Sequence, residues 1–264
     1  VPEGDTIHRV AARLRPALQG KQLVVFQATR TAKPWPQPGE RIEVVHARGK
    51  HLLMGFSGGL TLRTHMRMSG SWHLYRDRER WQRPRYQARC LVAVEGWQAV
   101  CFNAPVVELR RTAPTEVDEL AHLGPDLTTR DADVDECLRR LDALVAPETP
   151  IKVALLDQRV ACGVGNVYAS EVPFAERVHP ATTVAQLDVA TRRRLLAKAN
   201  ELLTANLQGG PRTTVPGVPG GLAVYGRSGR PCRRCGTIVQ TRRLGEHARS
   251  TYWCPRCQPE VAAA

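Results

Sequence analysis

The chain has 264 residues, 38 of them lysine or arginine against 25 acids, a formal net charge of +13, and 42% hydrophobic residues. That length allows one large domain or two modest ones, and the composition excludes a disordered or fibrous chain. No apolar run exceeds about five residues, where a spanning helix needs ~20, and the opening VPEGDTIHRV has no signal-peptide core, which points away from a membrane and towards the cytosol.

Ile7, Val10, Leu14 and Leu18 recur at helical spacing and stop at Gly20, so an amphipathic helix opens the chain. From Leu23 to about Leu109 short alternating runs follow, LVVFQA, RIEVVHARG, HLLMGFS, LTLRTHM, SWHLY, RCLVAV and WQAVCF, with Gly58-Gly59 and Glu95-Gly96 as hairpin turns. The series predicts an antiparallel sandwich or barrel on which the opening helix packs. Cys90 and Cys101 fall opposite each other across the Glu95-Gly96 turn. They read as buried thiols, with a cross-strand disulfide as the geometric alternative.

From about Asp131 the period changes. Val134, Leu138, Leu141 and Val145 mark a helix ending at Pro147, Val153, Leu155 and Leu156 mark another, and a third runs from about Thr191 to Leu207. Among them lies the turn Gly163-Val164-Gly165-Asn166. Glycines there let the backbone approach a ligand, N–H groups at a helix start bind an anion such as phosphate, and Asn166 adds a donor. Glycine turns between helices are also common without any ligand. A Gly/Pro-rich stretch, GGPRTTVPGVPGG, links to the tail.

Excess positive charge favours a polyanionic partner such as nucleic acid, and it is concentrated in that tail. Arg227 to Cys257 hold eight arginines and one acid, Glu246, so seven of the thirteen excess charges lie there. Cys232, Cys235, Cys254 and Cys257 form two CxxC pairs separated by 18 residues. Thiolates so spaced converge on the tetrahedron of a structural zinc, in a segment too short to fold on a hydrophobic core. A disulfide scaffold would need an oxidising compartment. Between the pairs, Ile238 and Gln240 on one strand and Ser250 to Trp253 on the other predict a β-hairpin.

The motifs PEGDTIHRVA, RGKHLL, HMRMSGSW, LLDQRVACGVGNVYASE and VYGRSGRPCRRCG with RSTYWCPRCQ occur in this order from Pro2 to Gln258. Together they resemble the formamidopyrimidine-DNA glycosylase and endonuclease VIII family, most closely its actinobacterial endonuclease VIII-like branch. The resemblance implies an α+β multidomain protein: an N-terminal antiparallel β-sandwich with an opening helix over 1–125, a helix-two-turn-helix domain over 126–222, and a C-terminal β-hairpin zinc finger over 223–264 holding one structural zinc. It implies a monomeric, cytosolic enzyme of base excision repair that acts on damaged double-stranded DNA as glycosylase and AP lyase.

By the same resemblance Pro2 is the nucleophile on the sugar C1′ and Glu3 the general acid/base; the plain alternatives are a helix-starting proline and an acid that offsets the helix dipole. With Val1 attached the Pro2 nitrogen is an amide, so Val1 is expected to be a translated start residue that is removed. Where the family often carries a further Glu this chain has Thr6, beside Asp5. Lys50 matches a strand-tip lysine that assists the chemistry, Lys152 and Asn166 with Gly165 match the phosphate-binding segment, Arg227 is a further expected DNA contact, and Arg249 matches the zinc-finger arginine that serves the second elimination. A base inside a duplex must be extruded, and Arg67, Met68 and Ser69 form the candidate wedge, with a core methionine as the alternative for Met68. Family members that act on 8-oxoguanine carry a longer insert where this chain has only about 17 residues, Gln208 to Val224, which favours oxidised pyrimidines. The competing classes are an 8-oxoguanine or formamidopyrimidine glycosylase and a non-catalytic damaged-DNA-binding protein.

Overall fold

The protein is described by a computed structural model that covers residues 2–29, 31–112, 120–218 and 220–260. Val1 lies outside the described residues. Two compact units divide the chain, Val1–Glu119 and Leu120–Ala264.

In the first unit α1 (Gly4–Leu18) turns Ile7, Ala11, Leu14 and Leu18 inward, with Asp5 in its first turn and Arg15 in its last, as the helix dipole favours. Four strands pair in the order β1 (Leu23–Ala28), β6 (Ala88–Val94), β7 (Trp97–Phe102), β5 (Ser71–Arg76). Four more pair as β2 (Ile42–Arg48), β3 (His51–Phe56), β4 (Leu60–His65), β8 (Val106–Arg111). All seven alternating runs of the sequence are strands. The eighth, β8, is an addition, because VVELRR is half-exposed and does not alternate. Ile7, Leu14, Val45, Met54, Trp72 and Val92 share one core, so α1 and both sheets enclose it. Cys90 faces Cys101 as expected, and both are free thiols whose burial pushes them up from the ordinary range.

Strand register decides what meets at one end of this unit. Arg48 pairs with His51, His51 with His65, and His65 with Val106, so the β2–β3 turn, the β4–β5 loop and the start of β8 share an end. Phe102 pairs with both Ser71 and Ala88, which brings the starts of β5 and β6 to the same rim. Helix α1 runs antiparallel to β2, with Gly20 N donating to Ile42 O and Arg15 Nε to Val45 O. Its first turn therefore points towards the Arg48 end.

In the second unit α2 (Val134–Leu144) is capped by Asp133, which accepts from Glu136 N at 2.8 Å. A short α3 (Ile151–Ala154) and α4 (Tyr168–Ala175) follow. Asp188 starts α5 (Val189–Ala205) slightly ahead of the expected Thr191, by accepting from Thr191 N at 2.6 Å. The tail hairpin is β9 (Gln240–Leu244) and β10 (Arg249–Trp253). Ile238 stands outside it, bridged to Pro231. Among the described residues no helix is long and apolar enough to cross a membrane.

Candidate catalytic rim and nucleic-acid interface

The first turn of α1 sets two site residues side by side. Pro2 is half-buried, and Glu3 is the N-cap residue, 1% exposed, its carbonyl accepting from Thr6 N and Ile7 N. Asp5 is also buried and accepts from Thr6 Oγ1 at 3.3 Å, so a second carboxylate stands in this turn. At the same end Lys50 occupies the turn after β2, half-buried.

His65 ends β4 between Lys50 and the wedge loop, and nothing in the sequence marks it apart from its place in HMRM. Its Nδ1 accepts from Arg67 N at 3.1 Å. Burial, with Lys50, Arg67 and Arg63 nearby, pushes its pKa down to about 4, so the ring is neutral at pH 7. A neutral ring that accepts at Nδ1 carries its proton on Nε2.

The loop after His65 separates two methionines. Leu60, Leu62, Thr64 and Met66 continue the inward face of β4, and Met66 is buried. Arg67 then adopts φ 45°, the alternation breaks, and Met68 emerges 77% exposed. Met68 is thus not the core methionine of the alternative; burying it against an apolar surface is worth about 1.5–3 kcal/mol. Ser69 Oγ donates to Asn103 O at 3.2 Å. A Cβ on Gly70 would stand 2.7 Å from Met66 Cα, so only glycine closes this loop.

In the second unit two expected site residues converge on one atom, the carbonyl oxygen next to a third. Lys152 is 1% exposed, and its Nζ donates to Ser250 O at 2.7 Å and Thr251 Oγ1 at 2.8 Å. Asn166 Nδ2 donates to the same Ser250 O at 3.1 Å, while its buried Oδ1 has no hydrogen-bond partner among the described residues. Ser250 follows Arg249, which is exposed at the start of β10. Both donors brace the hairpin here, as a buried ammonium needs acceptors in place of water.

Gly163 takes φ 104°, with Thr128 Cγ2 3.3 Å from where a Cβ would stand, and buried Gly165 accepts from Ala169 N as α4 begins. Arg227 Nη1 donates to Ala223 O and Nη2 to Pro231 O, tying the linker to the first cysteine knuckle. Glu171 closes the motif LLDQRVACGVGNVYASE, with nothing in the sequence to show what it holds. Its buried carboxylate accepts from Ala223 N, Val224 N and Tyr225 N at 2.7–2.9 Å and from Thr214 Oγ1.

Cys232, Cys235, Cys254 and Cys257 place their sulfurs within 4.8 Å of one another. Sulfurs about 2.3 Å from a tetrahedral zinc lie about 3.8 Å apart. The separations of 3.4 Å for Cys235–Cys254 and 4.0 Å for Cys232–Cys257 bracket that edge, and Arg234 N points at Cys232 Sγ, 3.4 Å away. The four cysteines fit one structural zinc.

Residues 1–106 match the formamidopyrimidine-DNA glycosylase N-terminal domain, 123–216 the formamidopyrimidine-DNA glycosylase H2TH domain, and 229–259 the zinc finger found in FPG and IleRS. The chain is 41% identical to "Probable endonuclease 8 2" of Streptomyces coelicolor, covering 98% of this chain and 94% of that one. It is 37% identical to "DNA-(apurinic or apyrimidinic site) lyase Nei2" of Mycolicibacterium smegmatis, over 98% and 99%. Among solved structures it resembles the MutM (FPG) protein of Thermus thermophilus, with TM-score 0.80, 31% identity, and 98% and 100% of the two chains covered. Lactococcus lactis formamidopyrimidine-DNA glycosylase bound to DNA with an AP site shares the fold, with TM-score 0.77, 22% identity and the same coverage.

Proposed function

The chain belongs to the formamidopyrimidine-DNA glycosylase and endonuclease VIII family, and on that footing we propose that it is a bifunctional DNA glycosylase and AP lyase of base excision repair. The observation that carries this is the rim of the first unit, where half-buried Pro2 and buried Glu3 share an end with Lys50 and the exposed Met68.

With Pro2 as the first residue, its nitrogen is a terminal amine, a group that ordinarily titrates near pH ~8 and so has a neutral fraction at neutral pH. It attacks C1′ of the lesion nucleotide as the bond to the base breaks, while Glu3 protonates the sugar ring oxygen. The opened sugar is then an iminium on Pro2. Loss of a C2′ proton expels the 3′ phosphate, a second elimination expels the 5′ phosphate, and water frees the enzyme. Lys50 supplies positive charge beside the lesion phosphate, and Met68 fills the place the base leaves. Arg249 clamps phosphate for the second elimination, from a hairpin that Lys152 and Asn166 hold.

Oxidised pyrimidines are the proposed substrates. The segment that would otherwise cover a flipped purine is short and folded on itself: the Thr213 hydroxyl lies 2.8–3.1 Å from Val215 O, Val218 O and Gly221 O, and Asn206 brackets Thr213 from both sides. A single chain is the proposed working unit, in the bacterial cytosol and nucleoid. Nicking assays on duplexes carrying thymine glycol, dihydrouracil or 8-oxoguanine test this. Preference for the first two is expected, and preference for 8-oxoguanine opposite cytosine overturns the substrate assignment.

A further inference from the structure

The connection between β5 and β6, residues 77–87, has no part in the function above. Yet it carries Tyr86, 76% exposed and, with Met68, one of the two most exposed large apolar side chains described. Around it the sequence places Arg76, Arg78, Arg80, Arg83, Arg85 and Arg89 against Asp77 and Glu79, a net four positive charges in fourteen residues.

This segment is anchored. Trp81 packs on Phe102 and Tyr75 with ring centroids 5.8 and 6.5 Å apart, and its Nε1 donates to Gln98 Oε1 at 3.2 Å. The chain so crosses the outer face of the first sheet and returns to the rim, where a 3₁₀ turn, Arg85–Gln87, presents Tyr86. Gln87 Nε2 donates to the Tyr86 hydroxyl at 3.3 Å, and Gln87 Oε1 accepts from Asn103 Nδ2 at 3.1 Å. Asn103 N donates to Gln87 O, and Asn103 O accepts from Ser69 Oγ. One asparagine, held at φ 52°, therefore laces the Tyr86 turn to the loop that carries Met68.

An outward aromatic ring on a fixed turn, with guanidinium groups beside it, is the composition of a base-stacking platform: the ring offers a π-face to any base and the arginines meet phosphates. We propose that Tyr86 stacks on a base of the DNA strand opposite the lesion, with Arg83, Arg85 and Arg89 on that strand's phosphates. The choice of strand follows from topology. Lys50 stands at the end of β2 in the second sheet, the turn that carries Tyr86 leads into β6 of the first, and the Met68 loop is the crossover between the sheets. With Met68 in the stack, the nucleotide turned towards Pro2 and Lys50 lies on one side of that loop, and its former partner lies on the side of Tyr86. This inference rests on the functions proposed above for Pro2 and Met68.

The test compares the full chain with Tyr86→Ala and Tyr86→Phe, measuring affinity for a duplex with a tetrahydrofuran abasic analogue and for the same lesion strand alone. Tyr86→Ala is expected to lower the duplex-to-single-strand affinity ratio about five-fold or more, with Tyr86→Phe close to wild type. Fluorescence of 2-aminopurine placed opposite the analogue should be quenched by wild type and Tyr86→Phe and not by Tyr86→Ala. An unchanged ratio with unchanged quenching overturns the proposal. Borohydride trapping of wild type on a natural abasic site reads the Pro2 chemistry separately, so its failure would count against the catalytic assignment and not against Tyr86.

Discussion

Lys152 Nζ lies 2.7 Å from the carbonyl oxygen of Ser250, the residue that follows Arg249. A side chain of the short helix α3, almost wholly out of water, thereby fixes the start of strand β10. Lys152→Met keeps most of the volume and leaves Ser250 O and Thr251 Oγ1 without this donor, which costs ~2 kcal/mol or more. We expect a lower thermal midpoint, faster amide exchange in β9 and β10, and weakened strand cleavage at abasic sites.

Arg249→Ala should behave differently, since Arg249 is exposed. Its stability change is expected within ~0.5 kcal/mol of wild type. DNA affinity should fall, with a salt slope shallower by about one, and the second elimination should slow relative to the first. Gel separation of the two cleavage products against salt concentration measures both.

Glu171 ties α4 to the linker that leads to the hairpin, with four donors on one buried carboxylate. Glu171→Ala should destabilise the second unit by on the order of 3 kcal/mol, because backbone N–H groups lose a charged acceptor inside the protein. Glu171→Gln should recover only part of this, its amide nitrogen facing donors. Denaturant unfolding of the three proteins gives the ranking.

Lys152 was visible as a family match, but its inward bonds, like the four bonds on Glu171, lie beyond what sequence patterns reveal. Alternation exposed seven strands because each has one face on the core, and the paired CxxC motifs exposed the zinc site because its chemistry is local. Strand β8 escaped because it lies half-exposed at a sheet edge. Pro2, Glu3 and Met68 were legible only through family motifs; the left-handed Arg67, which turns Met68 out while Met66 stays in, has no compositional signature. That Lys152 and Asn166 share Ser250 O is a tertiary fact, joining positions 98 and 84 residues apart.

Acid should weaken the first unit through His65. Its pKa is about 4 in the folded protein against 6.5 as the ordinary value, with burial the main cause and Lys50, Arg67 and Arg63 contributing. The unfolded chain therefore binds more protons between these values. The stabilisation is complete above pH 6.5 and is lost progressively as pH falls through 4. Replacing His65 with Asn should flatten the fall in thermal midpoint between pH ~7 and ~4.

Removing zinc should unfold the tail and spare the first unit. The apolar cluster beneath the hairpin, built from Phe174, Val224, Val239 and the cysteines, is too small to hold β9 and β10 by itself. A chelator, or Cys254→Ser, is expected to abolish DNA cleavage and loosen residues 229–259. Hydrogen exchange should show β1 to β8 unchanged.

The most direct measurement of the central claim is borohydride reduction during reaction with a duplex containing an abasic site, on protein whose intact mass shows residue 1 removed. The proposed chemistry requires a covalent protein–DNA adduct, with the tryptic adduct on Pro2, lost in Pro2→Gly and in protein with an added N-terminal tag. An adduct on another residue, or full trapping by protein that retains Val1, would contradict it.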